Sequence, residues 1–226
     1  MSKYKDHKGG NLRRILLDAA LDILGEDDTP LDLRKVAERA GKSRTAPYII
    51  FGKEREGGGL TALRLAVATE GTKMLLAALR AGKDPTSDPR AGLEQLVETF
   101  LTFATHHERL FRLMFGPEMV DLTALRSAQE NDHPELKDLA NARLDVEKFL
   151  QQIIIRCQED RLLPQGHPIR PTLRAWIAIH GTAVLMLDPL IRLKVRTPVT
   201  EATQMAMEAI LGEDATGSWA RPRTNS

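Results

Sequence analysis

The chain of 226 residues has one cysteine, no long apolar run and almost no net charge. A lone Cys157 can form neither an internal disulfide nor a zinc cluster, which favours a reducing compartment. The 32 Lys and Arg stand against 31 Asp and Glu, which excludes a histone-like polycation and an acidic tail protein. No stretch reaches the roughly 18 uninterrupted apolar residues of a membrane span. The richest segment, Trp176–Leu193, is broken by His180, Asp188 and Pro189. Residues 1–10 are polar and lack the apolar centre of a secretory signal. Alternating strand patterns and internal repeats are also missing. What is present is a 42% apolar content, enough for a real core in a chain of this length. The expectation is a soluble, cytoplasmic globular protein of one or two domains.

The apolar spacing is helical. Leu12, Ile15, Leu16, Ala19 and Ile23 recur every three or four residues, which predicts a first helix ending near Gly25. Asp32 can cap a second helix with the stripe Leu33, Val36, Ala37, Ala40, and Gly41 can end it in a left-handed conformation. Ser43 is then expected to cap a short helix from Arg44, with Pro47 in its first turn, where a missing N–H costs least. A glycine-rich loop covers 52–59, and a long helix is predicted from about Leu60 to Leu79. Further helices are predicted over 91–106, 108–115, 118–130, 135–159, 170–188 and 199–211, separated by proline-bearing breaks. Residues 213–226 read as a frayed tail. The fold class is all-α.

The balanced total hides a local asymmetry. Residues 1–14 carry five bases and one acid, 15–33 carry six acids and no base, and 34–55 carry seven bases and two acids. The two basic clusters are either ordinary solvated charge or one anion-facing surface.

Residues 33–51, LRKVAERAGKSRTAPYIIF, combine a short amphipathic helix, a glycine turn and a second short helix. Small Ala37 permits a close crossing, and Gly41 supplies the positive φ of the turn. This is the grammar of a helix-turn-helix, whose second helix enters the DNA major groove. Its leading residues here are Ser43, Arg44, Thr45 and Ala46, with Tyr48 close behind. Arg44 can give two hydrogen bonds to guanine, and Thr45 can bond a base or set its methyl against thymine. The Tyr48 hydroxyl can reach a phosphate, as can Lys53, and Arg34 and Lys42 complete the candidate DNA-binding set.

The run ILLDAALDILGEDDTPLDLRKVAERAGKSRTAPYIIFGKE, at 15–54, resembles the DNA-binding domain of TetR-family bacterial transcriptional regulators. FATHHERLFRLMFGPE (103–118) and Trp176-x-x-x-His180-Gly181 resemble a TetR subgroup in the C-terminal half. The resemblance implies a three-helix, homeodomain-like reader over 1–56 and a helical effector-binding and dimerisation domain over 57–212. It further implies a homodimer, a palindromic double-stranded operator, a small-molecule effector and most commonly repression, with no cofactor, metal or catalytic residue. The helices at 135–159 and 170–188 would pair with their symmetry mates. Three positions depart from the family's pattern. Lys42 replaces an apolar residue, so the turn is expected to be looser or to carry an added backbone contact. Ile50 replaces a histidine and removes a phosphate contact. The segment 54–59, EREGGG, lengthens the link to the fourth helix.

Four of the six phenylalanines fall within 100–115. Phe100, Phe103, Phe111, Met114, Phe115 and Met119 are either core or the walls of an apolar pocket, since Met and aromatics adapt to ligands. Trp176 and His180 join this candidate effector set. The implied effector is mostly apolar with one polar or anionic group. Cys157 continues the stripe Val146, Leu150, Ile153 and reads as core, and His106-His107 reads as a helix-end pair. Glu130-x-x-His133 has the spacing of one arm of a di-iron bundle, but the second arm is missing. The triple glycine 57–59 lacks the Lys-Ser/Thr and the preceding strand of a P-loop. The other classes open to such a sequence are an all-α enzyme or lipid-binding bundle using the same pocket, and an adaptor that no longer reads DNA. Salt-dependent, sequence-selective DNA binding separates both from a regulator.

Overall fold

The computed structural model describes residues 3–26, 30–52, 59–82, 88–116, 134–192 and 198–212. Every regular element among them is a helix: α1 Lys3–Gly25, α2 Leu33–Arg39, α3 Ala46–Phe51, α4 Leu60–Arg80 and α5 Pro89–His106. Then follow α6 Glu108–Phe115, α7 Pro134–Glu159, α8 Ile169–Leu187, α9 Pro189–Arg192 and α10 Val199–Leu211. Among the described residues no helix is long and apolar enough to cross a membrane. The expected helix at 118–130, the Glu130–His133 pair and the tail at 213–226 lie outside the described residues, as do Lys53, Met119 and most of EREGGG.

Two of the boundaries that differ from expectation fall in the first three helices; elsewhere α5 begins at Pro89 rather than 91, and the short α9 was not expected. The first helix begins at Lys3, nine residues before Leu12. The apolar stripe marks where a helix is buried, not where its backbone turns begin. The second difference is at α3, which starts at Ala46 rather than Arg44, with Thr45 as its N-cap. The Ser43 and Thr45 hydroxyls bond each other at 3.0 Å, so neither side chain caps the helix. Instead the Ser43 carbonyl accepts the Ala46 N–H at 2.9 Å.

The contacts divide the chain into two compact units, 1–74 with 109–144 and 75–108 with 145–226. In the first, α1, α2 and α3 pack on one another around Leu16, Ala20, Ile23, Val36, Ala37 and Phe51. The Arg13 guanidinium sits 5.3 Å over the Phe51 ring, tying α1 to α3. Arg109 of α6 donates to the carbonyls of Ile23 (2.8 Å) and Glu26. A cation there adds to the hydrogen bonding of the last carbonyls of α1 and complements its dipole. Gly71 on α4 makes room for α6: a Cβ there would lie 2.7 Å from Met114 Sδ and 2.9 Å from Leu110 Cδ1.

The second unit is built on mutual packing of α5, α8 and α10. Val97, Phe100, Ala175, Ile179, Ala206 and Ile210 are buried there, each large side chain worth about 1.5–3 kcal/mol. Asp88 caps α5 by accepting the N–H groups of Arg90 (3.0 Å) and Ala91 (3.1 Å). Val146, Leu150, Ile153 and Cys157 line the buried side of α7. Burial, with the carboxylates of Asp160 and Asp88 nearby, pushes the Cys157 thiol up to about 11, so it packs as an inert core side chain. Gln158 donates to the carbonyls of Pro164 (2.7 Å) and Gly166 (3.2 Å), holding the loop before α8.

Candidate nucleic-acid interface and aromatic cluster

The helix-turn-helix is assembled by local chemistry. Asp32 Oδ1 accepts the N–H groups of Arg34 (2.8 Å) and Lys35 (3.2 Å), as expected of an N-cap. At the other end of α2, Gly41 has φ +60°. Its N–H meets the Glu38 carbonyl at 3.0 Å, and the Lys42 N–H meets the Ala37 carbonyl at 2.9 Å. These are the two bonds of a Schellman ending. Lys42 therefore leaves the turn fully closed, because the closure depends on backbone groups and on Gly41, not on an apolar side chain at Lys42. After α3, the Gly59 N–H donates to the Phe51 carbonyl at 2.7 Å, and the Gly59 carbonyl accepts the Leu63 N–H at 3.0 Å. The long link between α3 and α4 is thus tied at its base.

Arg34, Lys42, Ser43, Arg44 and Thr45 are all exposed, and Tyr48 is 42% exposed. Ala46 is a correction: it is only 5% exposed, so its methyl packs within the unit and does not face outward. Its burial follows from α3 being six residues long, with Ala46, Pro47 and Phe51 forming the side turned inward. Two surface residues escaped the sequence reading. Lys35 is exposed beside Arg34, and Ile49 on α3 is 72% exposed. A stretch written Y-I-I-F reads as core, and only the helix geometry separates Ile49 from its neighbours.

The basic residues also sort themselves. Arg13 pairs with Glu135 at 3.6 Å, and Arg14 with Asp18 at 3.0 Å and Glu70 at 3.6 Å. Arg39 pairs with Glu26 at 2.6 Å, and its hydrogen bond holds the Glu26 carboxyl below the usual range. Arg34, Lys35, Lys42 and Arg44 make no ion pair with any described residue. Among the described side chains of α1 to α3 and the turn, the cations outside these ion pairs therefore lie on α2 and the turn, while Arg13 and Arg14 of the first cluster are paired within the unit.

The candidate effector residues fall into two groups. In the second unit Phe100 and Trp176 meet edge-on at 5.7 Å, and His180 lies 5.5 Å from Trp176 and 6.0 Å from Phe100. Phe103, in the same unit, packs on His107 at 4.8 Å. In the first unit Phe111 and Phe115 pair at 4.9 Å, one helical turn apart. Arg143 sits 5.5 Å over the Phe115 ring and donates to the carbonyl of Met114, which is itself buried. Among the described residues no cluster of three His, Cys, Asp or Glu side chains is placed to hold a metal ion.

A family model described as tetracyclin repressor-like, C-terminal domain, matches residues 93–210. No curated protein matches the sequence. Several solved structures are similar. A protein of unknown function from Rhodococcus sp. RHA1 shares 25% identity at TM-score 0.65, over 89% of this chain and 94% of that one. A tetR-family regulatory protein from Rhodococcus RHA1 shares 16% at TM-score 0.59, over 89% and 96%. The TetR-family transcriptional regulator PfmR from Thermus thermophilus shares 19% at TM-score 0.55, over 88% and 97%. The latter two likenesses show a common helical fold across most of the chain.

Proposed function

Because the chain belongs to the tetracyclin repressor-like (TetR) family of transcriptional regulators, we propose that it is a homodimeric repressor that leaves a palindromic operator when a small effector binds. The observation that carries this reading is the closed α2–Gly41–α3 unit with Arg34, Lys35, Lys42 and Arg44 exposed around it. Residues 1–56 act as the reader and 57–212 as the effector and dimer domain. Arg44 and Thr45 address bases. Arg34, Lys42, Ser43, Tyr48 and Lys53 hold phosphates.

Dimerisation is assigned to α8, with α7 beside it. Ile169, Leu173, Ile177 and Val184 leave an apolar stripe exposed along α8, and Gly181 in its path is open. The occupant is a second copy of the same face, since a two-fold contact is self-complementary. Such a dimer presents two readers to half-sites about one helical turn of DNA, or a multiple, apart. The effector is mostly apolar, and the Phe100–Trp176–His180 group is its assigned wall in the second unit. Release requires the effector to bind the non-reading state better, a coupling of about 1–3 kcal/mol.

The test is selection of bound duplexes from a randomised pool at near-physiological salt. A palindromic enriched motif is expected. A folded protein that enriches no motif overturns the reading. In thermal-shift assays the enriched complex should respond to apolar ligands; a response confined to highly polar ones sinks the effector assignment.

A further inference from the structure

The outward face of α3 has an unusual chemistry for a DNA reader. Ala46, Pro47 and Phe51 are buried, while Tyr48 and Ile49 face outward. The Ile49 N–H bonds the Thr45 carbonyl at 3.1 Å, so Thr45 and Ile49 lie one turn apart on that same face. No carboxamide or carboxylate occurs there, so α3 has neither the fork that reads adenine nor the acceptor that reads cytosine. The Thr45 hydroxyl is engaged with Ser43 inside the turn. Beside the Tyr48 hydroxyl, assigned to a phosphate above, what remains is apolar: the Thr45 methyl and the whole Ile49 side chain, 72% exposed.

An isoleucine cannot donate to a phosphate or a base edge. Its gain on binding comes from removing apolar surface from water. In the major groove the only apolar group that distinguishes one base from the others is the C5 methyl of thymine. A β-branched side chain is also stiff at χ1, so little freedom is lost when it seats. The rise between Thr45 and Ile49 is about 6 Å, so the two address different base steps. We infer that Ile49 is a specificity-determining residue that selects a thymine in each half-site through contact with its methyl group. This rests on the DNA-reading function proposed above.

The experiment uses the full-length protein and the duplex obtained by selection. Each thymine of the half-site is replaced singly by deoxyuridine, which removes the methyl and keeps the base pair. One position should weaken wild-type binding about fourfold, the value of one buried methyl-sized group. Ile49→Ala should bind the thymine duplex more weakly and lose discrimination at that position. Thr45→Ser, which keeps the hydroxyl and removes the other methyl, should keep it. Equal thermal melting of Ile49→Ala and wild type checks that the variant is folded. Selective binding with no methyl-sensitive thymine overturns the inference and leaves the regulator reading standing. So does a sensitivity that survives in Ile49→Ala. Failure to enrich any duplex overturns both.

Discussion

Helices α2 and α3 have 7 and 6 residues, whereas α5 and α8 have 18 and 19. The short pair lies below the length at which helices persist alone in water, about 12–15 residues. It is held by particular atoms: the Asp32 carboxylate at one end of α2, Gly41 at the other, and the Phe51–Gly59 backbone bond after α3. The long pair is held by summed burial along a face, so no one cap decides whether it exists. Single backbone-specific changes should therefore damage the reader, and volume changes the second unit.

The largest effect should come from emptying the second unit's core. Phe100 is 1% exposed and touches both Trp176 and His180. Phe100→Ala should cost about 3–5 kcal/mol in urea unfolding, and Phe100→Leu distinctly less. A loss below about 1 kcal/mol for the alanine would mean the site collapses freely and that burial is not what holds α5 to α8.

Next comes the outer side of α8, the helix that Phe100 packs against. Ile177 is 64% exposed, so Ile177→Asp should leave the protomer's own stability nearly unchanged, within about 0.5 kcal/mol. If α8 meets its symmetry mate, the substitution buries uncompensated carboxylates and should weaken the dimer about a hundredfold or more. Sedimentation over a concentration series reads this directly. An unchanged dimer would move the interface away from this stripe.

A smaller effect tests the reader. Gly41→Ala forces a Cβ into the left-handed region and should cost about 1–2 kcal/mol. Gly41→Asn should cost less, because asparagine tolerates that region best among side-chain-bearing residues. Nothing lies within 4 Å of a Cβ at Gly41, so the effect would be backbone strain and not a clash. Equal stability of the alanine, asparagine and glycine forms would show that the turn is not held in this conformation.

What the sequence revealed follows the same division. Helix ends written in Asp32 and Gly41 were legible, because capping chemistry is local. The start of α3 was not. Ser43 and Thr45 are both cap-forming types two residues apart, and their mutual hydrogen bond decides the matter in three dimensions. Ile49 was missed because apolar residues at consecutive positions read as core, and a helix this short has only one buried side. The arginines at 13 and 14 were counted toward an anion-facing surface, yet their carboxylate partners Glu135 and Glu70 are remote in sequence. The phenylalanines at 100–115 looked like one cluster. His107, with φ −121° and ψ 44°, ends α5, and Phe111 and Phe115 belong to a different compact unit from Phe100 and Phe103.

His107 also carries the smallest expected effect. Although the residue is exposed, partial desolvation of its imidazole, and secondarily the charge of His106, lowers its pKa from the ordinary 6.5. The folded state then takes up a proton less readily than the unfolded chain. Stability from this group is complete above about pH 6.5 and is lost as the pH falls from there through the lower folded value. His107→Gln removes the titration. The stability difference between wild type and the variant should be level near pH 7 and should shift against wild type on going to about pH 5. Urea midpoints across that range measure it. A difference that stays level would mean that the contact with Phe103, 4.8 Å between ring centres, does not distinguish the neutral from the charged imidazole.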